Sequence, residues 1–170
     1  MVAALAISLL SVWPAAPACA ADDAKQLLLA DGQLSMPLPS SWKEVPPRSR
    51  IIEHEYAAPA DAKANDPVAR ITIMRAGGSI DANIERWYTQ FSQPDGGSTK
   101  DRAKVEKFEV AGMPVHWVEI TGTFKESMGG GPFAPGRVVE RPNYRMIGAI
   151  LETKNRGTYF FKITGPDKLV

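Results

Sequence analysis

The sequence is poor in the residues that carry covalent, redox and metal chemistry. Among its 170 residues there is one cysteine, Cys19, and there are two histidines, His54 and His116. A single cysteine excludes an internal disulfide framework. The chain also lacks a Walker loop, a G-x-G-x-x-G turn, an H-E-x-x-H helix and a G-x-S-x-G elbow. We therefore expect no cofactor and no metal, and the sequence assigns no catalytic residue.

The chain also lacks an excess of charge of either sign. Its 20 Lys and Arg residues face 19 Asp and Glu residues, which gives a formal net charge of +1. Because the basic residues are neither concentrated nor interleaved with exposed aromatics, nucleic acid is not an expected partner. No transmembrane span is expected after the first twenty residues. The remaining composition, with 44% hydrophobic and 23% charged residues, is typical of a single globular domain.

The first twenty residues predict a signal peptide. Residues 3–13 are almost wholly apolar, Pro14 follows, and Ala18-Cys19-Ala20 forms a small-residue cleavage site before an acidic segment. Cleavage there would send a cysteine-free protein to the periplasm or out of the cell.

Two features of this leader leave alternatives open. No basic residue precedes the apolar run, so the true start lies upstream or the signal peptide is atypical. A lipoprotein acylated at Cys19 is the rival interpretation, although Ala16 stands where a branched aliphatic residue is expected. Residues 21–31 are interpreted as a linker, a short helix or the end of the leader.

Alternation of apolar and polar residues predicts one sheet-rich domain over residues 32–170. The predicted strands cover residues 32–38, 51–56, 68–74, 143–152 and 158–164, with a long hairpin over 103–124 in the middle of the sheet. The predicted class is α+β, with a mainly antiparallel twisted sheet of about six or seven strands and one helix. Residues 165–170 resemble the start of a further C-terminal helix, which would cover part of the sheet.

One helix is predicted after the strand over 68–74. Ser79 is a good N-cap residue, and Asp81 in the first turn favours the positive end of the helix dipole. Ile84, Trp87 and Phe91 recur at helical spacing and predict the face that packs on the sheet.

The two histidines are the only candidates for acid–base or metal chemistry. His54 lies between Glu53 and Glu55, but alternate residues of a strand point to opposite faces, so the three side chains do not converge. His116 alternates with apolar residues and is expected on a packed face. A small hydrolase or ligand-binding protein using His54 or His116 with a nearby carboxylate is the alternative function, and finding both histidines in one cleft with a carboxylate would favour it.

A glycine run followed by spaced arginines is the candidate binding segment. Three consecutive glycines and two prolines exclude helix and strand between residues 127 and 136. Arginines then recur at every fourth position in the segment that leads from this loop into a strand. An anion or an acidic partner is the expected ligand of these residues: Gly129, Gly130, Gly131, Arg137, Arg141 and Arg145.

Two segments carry a resemblance to a known family. Residues 36–45 (MPLPSSWKEV) are similar to the P-x-x-W opening of PsbP-like domains, and residues 159–166 (YFFKITGP) resemble their closing strand. The family shares an α/β/α sandwich and includes the photosystem II extrinsic protein and a Ran-binding nuclear import factor. This chain looks like one of the secreted bacterial members of uncharacterised role.

The resemblance implies a non-enzymatic binding or assembly domain and carries over no functional residue. The expected function is therefore a non-catalytic, extracytoplasmic binding or assembly domain, with a protein partner in the cell envelope.

Overall fold

The computed structural model of the protein describes residues 25–128 and 137–170, and these residues form ten strands and two helices. The predicted signal peptide and the three glycines at 129–131 lie outside the described residues. The elements in chain order are β1 (Gln26–Leu29), β2 (Leu34–Pro37), β3 (Lys43–Val45), β4 (His54–Ala58), β5 (Ala69–Ala76), α1 (Ile80–Thr89), β6 (Phe91–Ser92), α2 (Thr99–Arg102), β7 (Lys104–Val110), β8 (Met113–Met128), β9 (Arg137–Glu152) and β10 (Thr158–Pro166). A short 3-10 helix, Asp167–Leu169, follows β10.

Eight of the strands form one antiparallel sheet. Its order is β3-β4-β5-β10-β9-β8-β6, and β7 pairs with β8 beside β6. Strands β1 and β2 form a separate two-stranded sheet. The prediction of six or seven strands with one helix was therefore wrong, because the described residues form ten strands in two sheets and are mostly antiparallel β. The additional elements are short, and a strand of two to four residues shows no measurable alternation.

Helix α1 packs on one face of the large sheet, which we call the helix face. Ser79 caps the helix as predicted, its hydroxyl accepting a hydrogen bond from the Ala82 amide at 3.2 Å. Ile84 and Trp87 are buried against apolar side chains of β8, β9 and β10. At the centre the Trp87 ring lies on Gly148. A Cβ atom at this position would come within 2.8 Å of three atoms of the ring. The predicted packing face of the helix is confirmed.

The β1–β2 pair packs on the opposite face, which we call the hairpin face. Leu27, Leu29 and Leu38 are buried there in one cluster with apolar side chains of β4, β5 and β10, namely Tyr56, Ile71, Ile73 and Tyr159. The two layers over the sheet are thus a helix on one side and a two-stranded sheet on the other. This arrangement corrects the predicted α/β/α sandwich, and it places a strand in the segment interpreted as a linker.

The hairpin predicted over 103–124 is present, but it does not occupy the middle of the sheet. Ala111 and Gly112 both have positive φ, 50° and 72°, as a tight two-residue turn requires. Strand β8 lies inside the sheet between β9 and β7, whereas β7 pairs with β8 alone and every one of its residues is exposed. The alternation of apolar and polar residues predicted both strands, but it did not predict that β7 is an edge strand.

Strands β8 and β9 each have 16 residues, and their pairing shifts register once. Gly122 is opposite Tyr144, but Phe124 is opposite Arg141, so β9 contains one extra residue between these two pairs. Asn143, which lies in this bulge, has a positive φ of 57°. Because side chains alternate along a strand, the extra residue changes which face each later side chain occupies.

Within residues 25–128 and 137–170, no helix combines the length and the apolar character needed to cross a bilayer.

Candidate functional site

Helix α1 covers only part of the helix face, and a cavity of about 780 Å³ lies over the uncovered part. Five basic residues line it and one acidic residue, Glu126, does so. The basic residues are Arg48, Arg70, Lys125, Arg141 and Lys162; the other lining residues are polar or apolar and include Thr72, Gln90, Phe124, Met128, Tyr144 and Thr164. The cavity is therefore concave and predominantly positive.

The floor of the cavity is a block of four polar side chains on two adjacent strands. Arg70 of β5 is directly opposite Thr164 of β10, and Thr72 is opposite Lys162. Directly opposed residues of an antiparallel pair share a face, and their Cβ atoms lie about 5 Å apart. Sheet pairing thus brings together two cations and two hydroxyls that are about ninety positions apart in the chain.

A buried carboxylate holds the arginine of this block in place. Glu55 is 1% exposed and accepts hydrogen bonds from Arg70 Nε at 2.6 Å and from Arg70 Nη2 at 3.0 Å. The Arg48 amide donates to the same carboxylate at 2.9 Å, and Arg48 Nε lies 3.4 Å away. Burial opposes the ionisation of Glu55, but these hydrogen bonds and positive charges outweigh it and lower the pKa of Glu55 below its ordinary value.

Lys162 has a different environment, because its ammonium faces no carboxylate. Its Nζ donates a hydrogen bond to the side-chain oxygen of Gln90 and lies 5.5 Å from the centroid of the Phe124 ring. In the part of the chain that the structure describes, Lys162 forms no salt bridge. Burial, together with the nearby charges of Arg70 and Arg86, lowers the pKa of Lys162 to about 8.

Thr164 contributes a second unsatisfied group to the floor. Among the described residues, its hydroxyl oxygen is the one buried side-chain polar atom that lacks a hydrogen-bond partner. A buried hydroxyl without a partner costs free energy, so such groups are uncommon in folded proteins. The Thr164 side chain borders the cavity, but its hydroxyl oxygen is itself buried.

Beside the floor, residues of β8 and β9 form an aromatic wall. The rings of Phe124 and Tyr144 are parallel within 9°, with centroids 6.0 Å apart. Next to them, Arg141 Nε donates to Glu126 at 3.0 Å. This wall therefore offers apolar contact area; Arg141 has a partner there, whereas Lys125 forms no salt bridge among the described residues.

The three predicted arginines do not act together. All lie in β9, with Arg137 exposed at its beginning. The extra residue of β9 places Arg141 on the helix face, where it lines the cavity, and Arg145 on the hairpin face. Arg145 bonds to Glu119 and donates to Asp167 at 2.8 Å. One of the three arginines therefore reaches the candidate site, and the predicted Gly129, Gly130 and Gly131 lie outside the described residues.

The two histidines do not share a cleft. His54 lies on β4 and His116 on β8, four strands apart, which is about 19 Å at the usual strand spacing. The pairing register also places them on opposite faces of the sheet. His54 is aligned across the strands with Trp117, and His116, the residue before Trp117 on β8, points to the other face. His54 stacks on Tyr56, and His116 Nε2 lies 2.7 Å from Glu152.

Metal ligands are not clustered either. Within residues 25–128 and 137–170, no group of three or more His, Cys, Asp or Glu side chains converges as a metal site would require.

The sequence analysis missed Lys162, Arg70 and Thr164. A signal for them was present, because Lys162 and Thr164 interrupt the apolar face of a strand that reads TYFFKIT, and Arg70 does the same in VARITIM. Charged residues in such strands are expected to have a partner or a function.

No protein-family model matches the chain, and no curated protein or solved structure shows significant similarity to it.

Proposed function

We propose that this chain is a non-catalytic binding domain of the cell envelope and that the helix-face cavity binds an anionic group. The observation that carries the proposal is the Lys162 ammonium, which lies at the floor of the cavity without a carboxylate partner. Burying an unpaired charge is costly, and an anion that enters the cavity supplies the missing partner.

The surrounding residues support an anion over a cation or a neutral ligand. Arg70 lies on the floor with Lys162, and Glu55, the carboxylate that holds Arg70, is 1% exposed with both oxygens already bonded. Glu126, the one carboxylate that lines the cavity, is paired with Arg141, so the lining is predominantly positive. Low-dielectric surroundings strengthen such charge–charge attraction relative to water.

The lining does not contain the groups of the hydrolase alternative. It includes no histidine, and its one carboxylate, Glu126, is engaged by Arg141. Lys162, whose pKa is lowered to about 8, is the lining group that can exchange a proton near neutral pH. The two histidines lie on opposite faces of the sheet, whereas a shared cleft would have favoured the hydrolase alternative.

Titration calorimetry with small anions tests the proposal. Acetate, benzoate and inorganic phosphate are titrated into the protein and into the variants Lys162→Met and Lys168→Met, with folding checked by urea unfolding. Lys168 is an exposed lysine that does not line the cavity, so its variant is the matched control. We expect at least one anion to bind, with about tenfold or greater loss in Lys162→Met and no change in Lys168→Met. Absence of binding by every anion would refute the proposed function.

The envelope location is the second part of the proposal, and the leader-like sequence supports it. Intact mass spectrometry of the protein expressed in a bacterial host distinguishes the possibilities. A mature start at Ala21 supports signal-peptide cleavage, and an acylated Cys19 supports a lipid anchor; both are consistent with an envelope protein. An unprocessed chain in the cytoplasmic fraction contradicts export.

A further inference from the structure

We infer that the ligand of the helix-face cavity is a small organic acid, with one carboxylate on the polar floor and a flat ring against the aromatic wall. The inference rests on the proposed function and specifies the ligand. It follows from the charge that the floor leaves uncompensated, from its hydrogen-bond donors and from the shape of the cavity.

Several charges of the cavity are neutralised from within. Arg141 is paired with Glu126, and Arg70 is held by both oxygens of Glu55. Arg48 shares Glu55, and its side chain is 65% exposed, so that water solvates it. Among the described residues, Lys162 on the floor and Lys125, which also lines the cavity, form no salt bridge. A carboxylate on the floor supplies the counter-charge that Lys162 lacks.

The free donors suit the two oxygens of a carboxylate. Lys162 and Thr164 are two positions apart on β10 and point to the same face, about 7 Å apart along the strand. One oxygen accepts from the Lys162 ammonium. The other accepts from the Thr164 hydroxyl, which is buried without a partner and turns toward the cavity when the ligand binds. A carboxylate bound in this way satisfies both groups at once.

The rest of the ligand is defined by the wall and the volume. The parallel rings of Phe124 and Tyr144 provide a flat apolar surface next to the floor. Aromatic groups stack on such surfaces in offset or tilted geometry. A volume of about 780 Å³ is in the range of small-molecule sites. The concavity favours a compact molecule over the flat contact patch that a protein partner presents.

A ligand series separates these features in one calorimetric experiment. Benzoate is compared with benzamide, which has the same shape without the charge, and with cyclohexanecarboxylate, which has the charge without the flat ring. Acetate lacks the ring altogether, and phenyl phosphate carries the larger charge. We expect benzoate to bind most tightly, with benzamide and acetate weaker by about tenfold or more.

Three variants assign the contacts to residues. Thr164→Val keeps the side-chain shape but removes the hydroxyl, and we expect benzoate affinity to fall about five- to tenfold. Lys162→Met should lower the affinity of both benzoate and acetate. Phe124→Leu should weaken benzoate more than acetate, because acetate has no ring that packs on Phe124. The exposed Lys168→Met variant controls for non-specific loss of charge, and urea unfolding confirms that each variant is folded.

Each possible failure points to a different conclusion. If phenyl phosphate binds more tightly than benzoate, or benzamide binds equally well, the inference of an organic acid is wrong while the cavity remains a binding site. If a capped acidic peptide binds more tightly than benzoate, the ligand belongs to a protein partner and the inference is also overturned. If acetate, benzoate and phosphate all fail to bind, the proposed function itself fails.

Discussion

Replacing Lys162 by methionine should make the protein more stable at neutral pH, although it removes a charged hydrogen bond. The ammonium is desolvated by burial and repelled by Arg70 and Arg86, which together lower its pKa from 10.5 to about 8. Methionine has a similar length and no charge, so it fills the same space without either cost. A binding residue that reduces stability is expected at a functional site.

The size of the effect follows from the pKa shift. Each unit corresponds to about 1.4 kcal/mol, so the shift of Lys162 from 10.5 to about 8 corresponds to about 3 kcal/mol. This is an upper bound, because part of the side chain still borders the cavity. The variant also leaves the amide oxygen of Gln90 without its donor, which costs about 1 kcal/mol. We therefore expect Lys162→Met to raise the free energy of unfolding by about 1–2 kcal/mol at pH 7.

The direction in which wild-type stability changes with pH follows from the protonation of Lys162 in the folded and unfolded states. Below pH 8 both the folded and the unfolded states bind the Lys162 proton, and the cost of burial is fully present. Between about 8 and 10.5 the unfolded state retains a proton that the folded state has lost, so wild-type stability rises with pH, by at most about 1.4 kcal/mol per unit. Burial raises the pKa of Tyr56 and of Tyr88, which makes stability fall above pH 10. The useful range is therefore pH 7 to 9.5.

Urea unfolding, followed by tryptophan fluorescence including that of the buried Trp87, measures the free energy of unfolding at each pH. Wild type should gain stability from pH 7.5 to 9.5, and Lys162→Met should not. The exposed Lys168→Met variant should keep the wild-type rise. If wild type and Lys162→Met show parallel curves, Lys162 is not a buried cation, and the argument for an anion site loses its basis.

Two further substitutions test the packing of the helix face and the support of the site. Gly148→Ala should destabilise the protein by about 1–3 kcal/mol, because its methyl group would overlap the Trp87 ring, whereas Gly77→Ala meets no atom within 4 Å and should cost little. Glu55→Gln should cost about 2–4 kcal/mol at pH 7. Because the pKa of Glu55 is lowered, its contribution is present above pH 4.5 and is lost as the pH falls through its folded-state pKa, so the variant should also flatten the acid branch of the stability profile. Glu53→Gln, at a residue 3.7 Å from its arginine partner, should change stability by less than about 1 kcal/mol. Urea unfolding between pH 3 and 7 checks all four, and equal losses in the two glutamate variants would contradict the role of Glu55.

The sequence predicted the elements whose signals are local. The cap at Ser79 and the spacing of Ile84 and Trp87 identified α1, and alternation identified β5 and β10 close to their observed bounds. Alternation predicted β2, but the sequence did not predict β1 or the pairing of β1 with β2 in a separate two-stranded sheet, because β1 has only four residues. Such strands depend on long-range burial of a few leucines, which a local pattern does not show.

Local sequence patterns did not predict the candidate site, for a different reason. Its floor is made by the pairing of β5 with β10, whose residues Arg70 and Thr164 are separated by most of the chain. Topology, and not spacing, makes them neighbours. The spacing of the arginines was also misleading. One extra residue in β9 places Arg141 and Arg145 on opposite faces of the sheet. A period-two pattern predicts a common face only where register is unbroken. Within each strand, however, a cation at an otherwise apolar position was visible, and the structure shows two such positions side by side. Pairs of cations at otherwise apolar positions of predicted strands are therefore worth testing as a site even when no motif connects them.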